Sequence, residues 1–145
     1  MRLFILCLTL FLAIGLPKPM YATTSDTQEE QLFMADISAI VAESSQILAS
    51  EEIDMVDLNN THGYSEIREK TAELLERVNA MELPTENTAY WATIQFATAG
   101  LLSSTMDEFD VTHSLEERDQ ATSDEVMFAG IVLMLMSHEE ELENL

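Results

Sequence analysis

The sequence predicts an all-α protein, an antiparallel up-down-up-down four-helix bundle that follows a cleaved signal peptide. Three observations carry that expectation. Apolar residues recur at three- and four-residue steps through most of the chain, and no segment sustains the period-two alternation of a half-buried strand. Four glycines and three prolines among 145 residues leave few points at which a helix must stop. The run Val126–Met136, VMFAGIVLMLM, carries no charge at all. As a helix it spans only ~17 Å, against the ~30 Å of a bilayer core. It is therefore expected as the buried central helix of a soluble bundle rather than a membrane span.

Residues 1–22 have the layout of a secretory signal. Arg2 gives a positive start, Leu3–Leu16 an apolar core, and Pro17–Ala22 a less apolar tail with cleavage after Ala22. No Leu-x-x-Cys site follows Cys7, so lipidation is not expected. Residues 23–145 then form a single acidic domain, exported to the periplasm or the extracellular space, with no membrane span left. Its fixed cations are Arg68, Lys70, Arg77 and Arg118; against all 27 acidic residues of the chain they leave a net charge of −23. Cys7 is the only cysteine, so the domain holds no disulfide and no thiol chemistry.

The first helix is expected over about 27–50, extending at most through Met55. Phe33, Ile37, Ile40 and Ile47 form its apolar face, flanked by Met34, Val41 and Leu48. Residues Asn59–Gly63 then spell a turn, with Ser65 as the N-cap of a second helix over about 65–82. That helix carries the stripe Ile67, Thr71, Leu74, Leu75, Val78 and Met81. Pro84 breaks it. A third helix runs from about Thr85 to Met106 or beyond, with Tyr90, Trp91, Ile94, Ala97, Leu101 and Leu102 as buried candidates. Ala92, Ala97, Ala99 and Gly100 permit close helix approach. Residues 107–121 either extend the third helix or form a connection with a short helix after Ser114. Thr122-Ser-Asp-Glu125 has the capping-box pattern, so the fourth helix is expected to start there and run to about Asn144.

The charge points to binding. A strongly acidic domain repels itself, stays in solution, and offers too few cations to neutralise nucleic acid or anionic lipid. The expected partner is a basic protein or divalent cations, met by an acidic face of Glu139, Glu140, Glu141 and Glu143 together with Glu51, Glu52, Asp54 and Asp57. Carboxylates at a helix C-terminus oppose the helix dipole, so their density at the chain's end calls for a reason beyond helix stability. A homodimer through the fourth helix is a further partner, because a helix apolar all round needs cover on every side.

No catalytic signature is present. Gly-x-Ser-x-Gly and a phosphate-cradling glycine loop are both missing, and the three histidines form no base–nucleophile pair. A non-enzymatic protein is expected. The alternative is a cofactor reading. Met34 early in the first helix and His138 late in the fourth would lie at one end of an antiparallel bundle, where Met and His can ligate haem iron. In architecture and in these two residue types the chain resembles the small periplasmic haem-binding four-helix cytochromes. That resemblance implies haem b held by Met34 and His138, with an electron-transfer or carrier role. Covalent attachment is excluded without Cys-x-x-Cys-His.

Overall fold

The computed structural model describes residues 28–50 and 61–142, with side chains at all of them except 50, 61–63 and 138–142. The described residues form four helices and no strand: α1 (Gln28–Ser50), α2 (Thr61–Ala80), α3 (Thr88–Glu108) and α4 (Leu115–Leu142). The all-helical expectation therefore holds. Residues 1–22, expected as a signal peptide, lie outside the described residues, as do Glu51–Asp57 and Glu143.

The expected apolar faces find each other in three clusters. Phe33, Ile37 and Val41 of α1 meet Trp91, Ile94 and Ala97 of α3 and Val132 of α4. Ile40 meets Leu74, Val78 and Leu102. Tyr64 and Ile67 close on Phe109. Met34, the proposed haem ligand, is half-buried against the first cluster. α1 is long and apolar enough by composition to cross a membrane, yet its apolar face is spent on these clusters.

α3 is the axis of the fold. Among the described residues it approaches all three other helices, whereas the backbone of α4 runs close only to α3. Nine α3 residues are buried, including Thr98, Ser104, Thr105 and Glu108. Polar groups survive there because they are paired. Thr98 and Thr105 donate their hydroxyls to the carbonyls of Ile94 and Leu101, at 2.8 and 3.0 Å.

Four boundary expectations are corrected. α2 begins at Thr61, so Thr61–Gly63 are helical and Ser65 lies inside the helix rather than capping it. Glu66, also inside the helix, pairs with Lys70 one turn on, at 2.6 Å. α3 begins at Thr88 and not at Thr85. Asn87 just before it is left-handed, with φ 52°, which no helical residue adopts.

The fourth correction is the largest. α4 starts at Leu115 and runs through Thr122–Glu125 without interruption. The working capping box is Ser114-Leu-Glu-Glu117. The Ser114 backbone N–H donates to Glu117 Oε2 at 2.7 Å, and the Glu117 N–H donates back to Ser114 Oγ at 3.3 Å. Thr122 instead donates to the carbonyl of Arg118, one turn earlier. Nor is Val126–Met136 a buried central run. Of its eleven residues only Ala129 and Val132 are buried, because a helix close to one neighbour covers one stripe and leaves the opposite side to solvent.

Candidate functional site

Two features of the described residues carry chemistry, an acidic groove at one end of α1 and a carboxyl pair between α3 and α4. The groove is about 340 Å³ and lies between α1 and the Met81–Thr85 connection. Its α1 wall is Glu29, Leu32, Phe33 and Asp36, spaced three, four and seven residues on and so stacked on one helical face. Met81, Leu83 and Pro84 complete an apolar floor, and Glu82 stands on the far rim.

Hydrogen bonds fix the groove's shape. Glu29 Oε2 accepts from the backbone N–H and the hydroxyl of Thr85, at 3.3 and 3.2 Å, tying the connection to α1. From α3, Gln95 donates its amide to the carbonyls of Val78 and Met81, at 2.8 and 3.1 Å. It thereby satisfies carbonyls at the end of α2 that have no partner within their own helix. Below the floor, Phe33 stands edge-on to Trp91 at 5.6 Å, and the Trp91 indole N–H donates to buried Glu30. The floor is thus the outer surface of a rigid aromatic cluster.

Charge on the groove is one-sided. Glu29, Asp36 and Glu82 are exposed. The four cations of the described chain are engaged elsewhere: Arg68 with Asp110, Lys70 with Glu66, Arg77 with Glu43, and Arg118 over the Tyr64 ring. Leu32 is left 58% exposed between the carboxylates.

The second feature is the pair Glu108–Glu125. Burial in the α3–α4 seam pushes the Glu125 carboxyl up to about 9, helped by its hydrogen bond with Glu108 and by that neighbour's charge, while Thr105 works the other way. Glu125 therefore holds its proton well above the usual carboxylate range. Arg118 braces the same turn by donating its Nε–H to the Glu108 carbonyl at 2.6 Å. Beside Glu125 is a cavity of about 20 Å³ lined by Val41, Ser44, Leu101, Val132 and Leu133. That is room for about one water, not for a substrate.

A third carboxylate has the opposite character. Hydrogen bonds from the Thr112 hydroxyl and backbone N–H, then the Arg68 guanidinium 2.8 Å away, hold Asp110 below the usual carboxylate range. It fixes the α3–α4 connection.

Of the residues expected to act, Met34 lies half-buried against the first cluster. The side chains of His138, Glu139, Glu140 and Glu141 lie outside the described ones, as do Glu51, Glu52, Asp54, Asp57 and Glu143. Neither the haem pair nor that acidic face thus acquires a geometry. The groove was not anticipated, although the spacing Glu29-Leu32-Asp36 was a signal, with two acids flanking an apolar residue on one face. The Glu108–Glu125 pair was hidden because Glu125 reads as a capping residue. Comparisons with protein-family models, with curated proteins and with solved structures each gave no match, so function has to be argued from this geometry alone.

Proposed function

We propose that the chain is an exported, non-enzymatic bundle that acts by binding a basic amphipathic protein segment in the acidic groove. Its helices would run alternately up and down. For α3 and α4 paired contacts support this: 90 with 135 and 108 with 118 join rising numbers to falling ones. Export rests on the signal-like residues 1–22.

The observation that carries the binding reading is the apolar floor edged by three carboxylates with no cation beside them. Lysine or arginine side chains would meet Glu29, Asp36 and Glu82, and an apolar side chain would cover Leu32 and Phe33. A bare divalent ion suits the groove less well, since it needs several converging oxygens. Among the described residues no three His, Cys, Asp or Glu side chains gather in that way. Glu125, half-buried beside a one-water cavity, supports a structural rather than a catalytic role.

The test is a titration of the purified protein with a Lys/Leu-rich amphipathic peptide at several salt concentrations. Binding should weaken as salt rises, and Asp36→Lys with Glu82→Lys should weaken it by roughly tenfold or more. Salt-independent affinity, or affinity untouched by both reversals, would remove the groove as the site.

A further inference from the structure

Along α4 five exposed residues fall in one line, Ser123, Met127, Gly130, Met134 and Ser137, the middle three from the apolar run, whose Val126 is exposed beside them. Their spacing of four, three, four and three is the seam of a two-helix coiled coil, a row that averages 3.5 residues and stays on one face. The order of residue types is also the same read from either end, with serine, methionine, glycine, methionine and serine. In a two-fold antiparallel pair each position meets its mirror position on the other copy. Ser123 would then lie against Ser137, Met127 against Met134, and Gly130 beside the axis.

Gly130 gives an independent sign. A Cβ built there meets nothing within 4 Å, so no contact among the described residues requires glycine. In a helix interior it costs about 1 kcal/mol relative to alanine. At the middle of a seam it lets two backbones come close. Gly100 of α3 is different: a Cβ there would lie 2.6 Å from the Phe128 ring, so its glycine is explained within the chain.

Charge and area select the occupant. A chain of net charge −21 repels its own copies wherever carboxylates meet, and none of the five stripe residues carries a charge. Phe96 of α3, 71% exposed and edge-on to Phe128, extends the apolar surface along the α3 side. Met127 and Met134 are each 51% exposed. These three side chains alone open on the order of 300 Å² per copy, about half of what each partner contributes to a small stable interface.

We infer that the exposed face of α4 is the seam of an isologous homodimer, in which two α4 helices cross antiparallel about Gly130. The seam lies apart from the groove and does not depend on its occupant.

Sedimentation of the purified full chain over a concentration series tests this, with circular dichroism as the check on folding. A dimer is expected, and it should tighten with salt as self-repulsion is screened, opposite in sign to binding in the groove. Met127→Glu and Met134→Glu should each leave the helical content intact and weaken the dimer by roughly thirtyfold or more, since each change enters the seam twice. For the register, a mixture of Met127→Cys and Met134→Cys chains should cross-link to each other faster than either does to itself. A monomer at every concentration, or a dimer indifferent to both glutamates, overturns the seam. Faster 127-to-127 linking overturns the antiparallel crossing. A monomer that instead binds neutral lipid vesicles through Met127 and Met134 overturns the second copy as occupant.

Discussion

Helices α3 and α4 are both rich in apolar residues, and they are used in opposite ways. α3 contains threonines, serines and a glutamate, yet it is the buried axis, with nine residues out of solvent. α4 contains the longest uncharged apolar run in residues 28–142, yet that run buries only Ala129 and Val132. Burial follows from the number of neighbours a helix has, not from its hydropathy. The backbone of α3 comes close to three helices and that of α4 to one, with the Val132 side chain reaching the cluster that α1 shares. Thr98 and Thr105 on α3 are tolerated because their hydroxyls find backbone carbonyls, and apolar groups on α4 remain open because none of the described residues covers them.

Truncations should separate the two helices most sharply. Leu102→Ala, at a fully buried position, is expected to cost about 2–5 kcal/mol in denaturant unfolding. Met134→Ala should stay within about 0.5 kcal/mol when measured on the dilute monomer. Equal costs would erase the distinction.

The seam between the helices should respond next. Glu125 has its folded-state pKa raised to about 9, from about 4.5 for an ordinary glutamate. Its contribution to stability is therefore fully present below about 4.5 and is lost progressively as pH rises toward about 9, because the unfolded chain ionises first. Glu125→Gln keeps a donor for Glu108 without a proton to lose. It should raise stability by on the order of 1–3 kcal/mol at pH 8 and flatten that decline. A wild-type unfolding curve independent of pH over this window would contradict the shared proton.

The two glycines make a smaller and signed comparison. Gly100→Val forces Phe128 aside and should destabilise by about 1–3 kcal/mol. Gly130→Ala, open in the chain, should stabilise the monomer by about 0.5–1 kcal/mol in thermal unfolding. The smallest contrast lies at the two capping patterns of α4. Ser114→Ala should cost about 1 kcal/mol, while Thr122→Ala, inside the helix, should be nearly neutral. Loss at Thr122 and none at Ser114 would restore the later start.

Much of the core was legible. Phe33, Ile37 and Ile40, then Ile67, Leu74 and Val78, then Trp91, Ile94 and Leu102 all follow from helical periodicity and are all buried. Periodicity reports which residues share a face, and a face of large apolar side chains has one favourable fate. The start of α4 was misplaced because two S/T-x-x-E patterns eight residues apart look alike; Arg118, anchored over Tyr64 and on the Glu108 carbonyl, holds the earlier turn in the helix. The groove was missed because it joins α1 to a connection that lies some fifty residues further along the chain.

By itself, the sequence determined the helical class, the apolar faces of the first three helices, the break at Pro84 and the net acidity. These depend on local spacing and on summed charge, which are properties of the chain before it folds. The tertiary structure alone decided that α3 is the axis, that α4 keeps an open face, that Glu125 holds a proton and that a groove forms at the start of α1. Each of these depends on which side of a helix its neighbours occupy, and that is fixed only when all four are packed together.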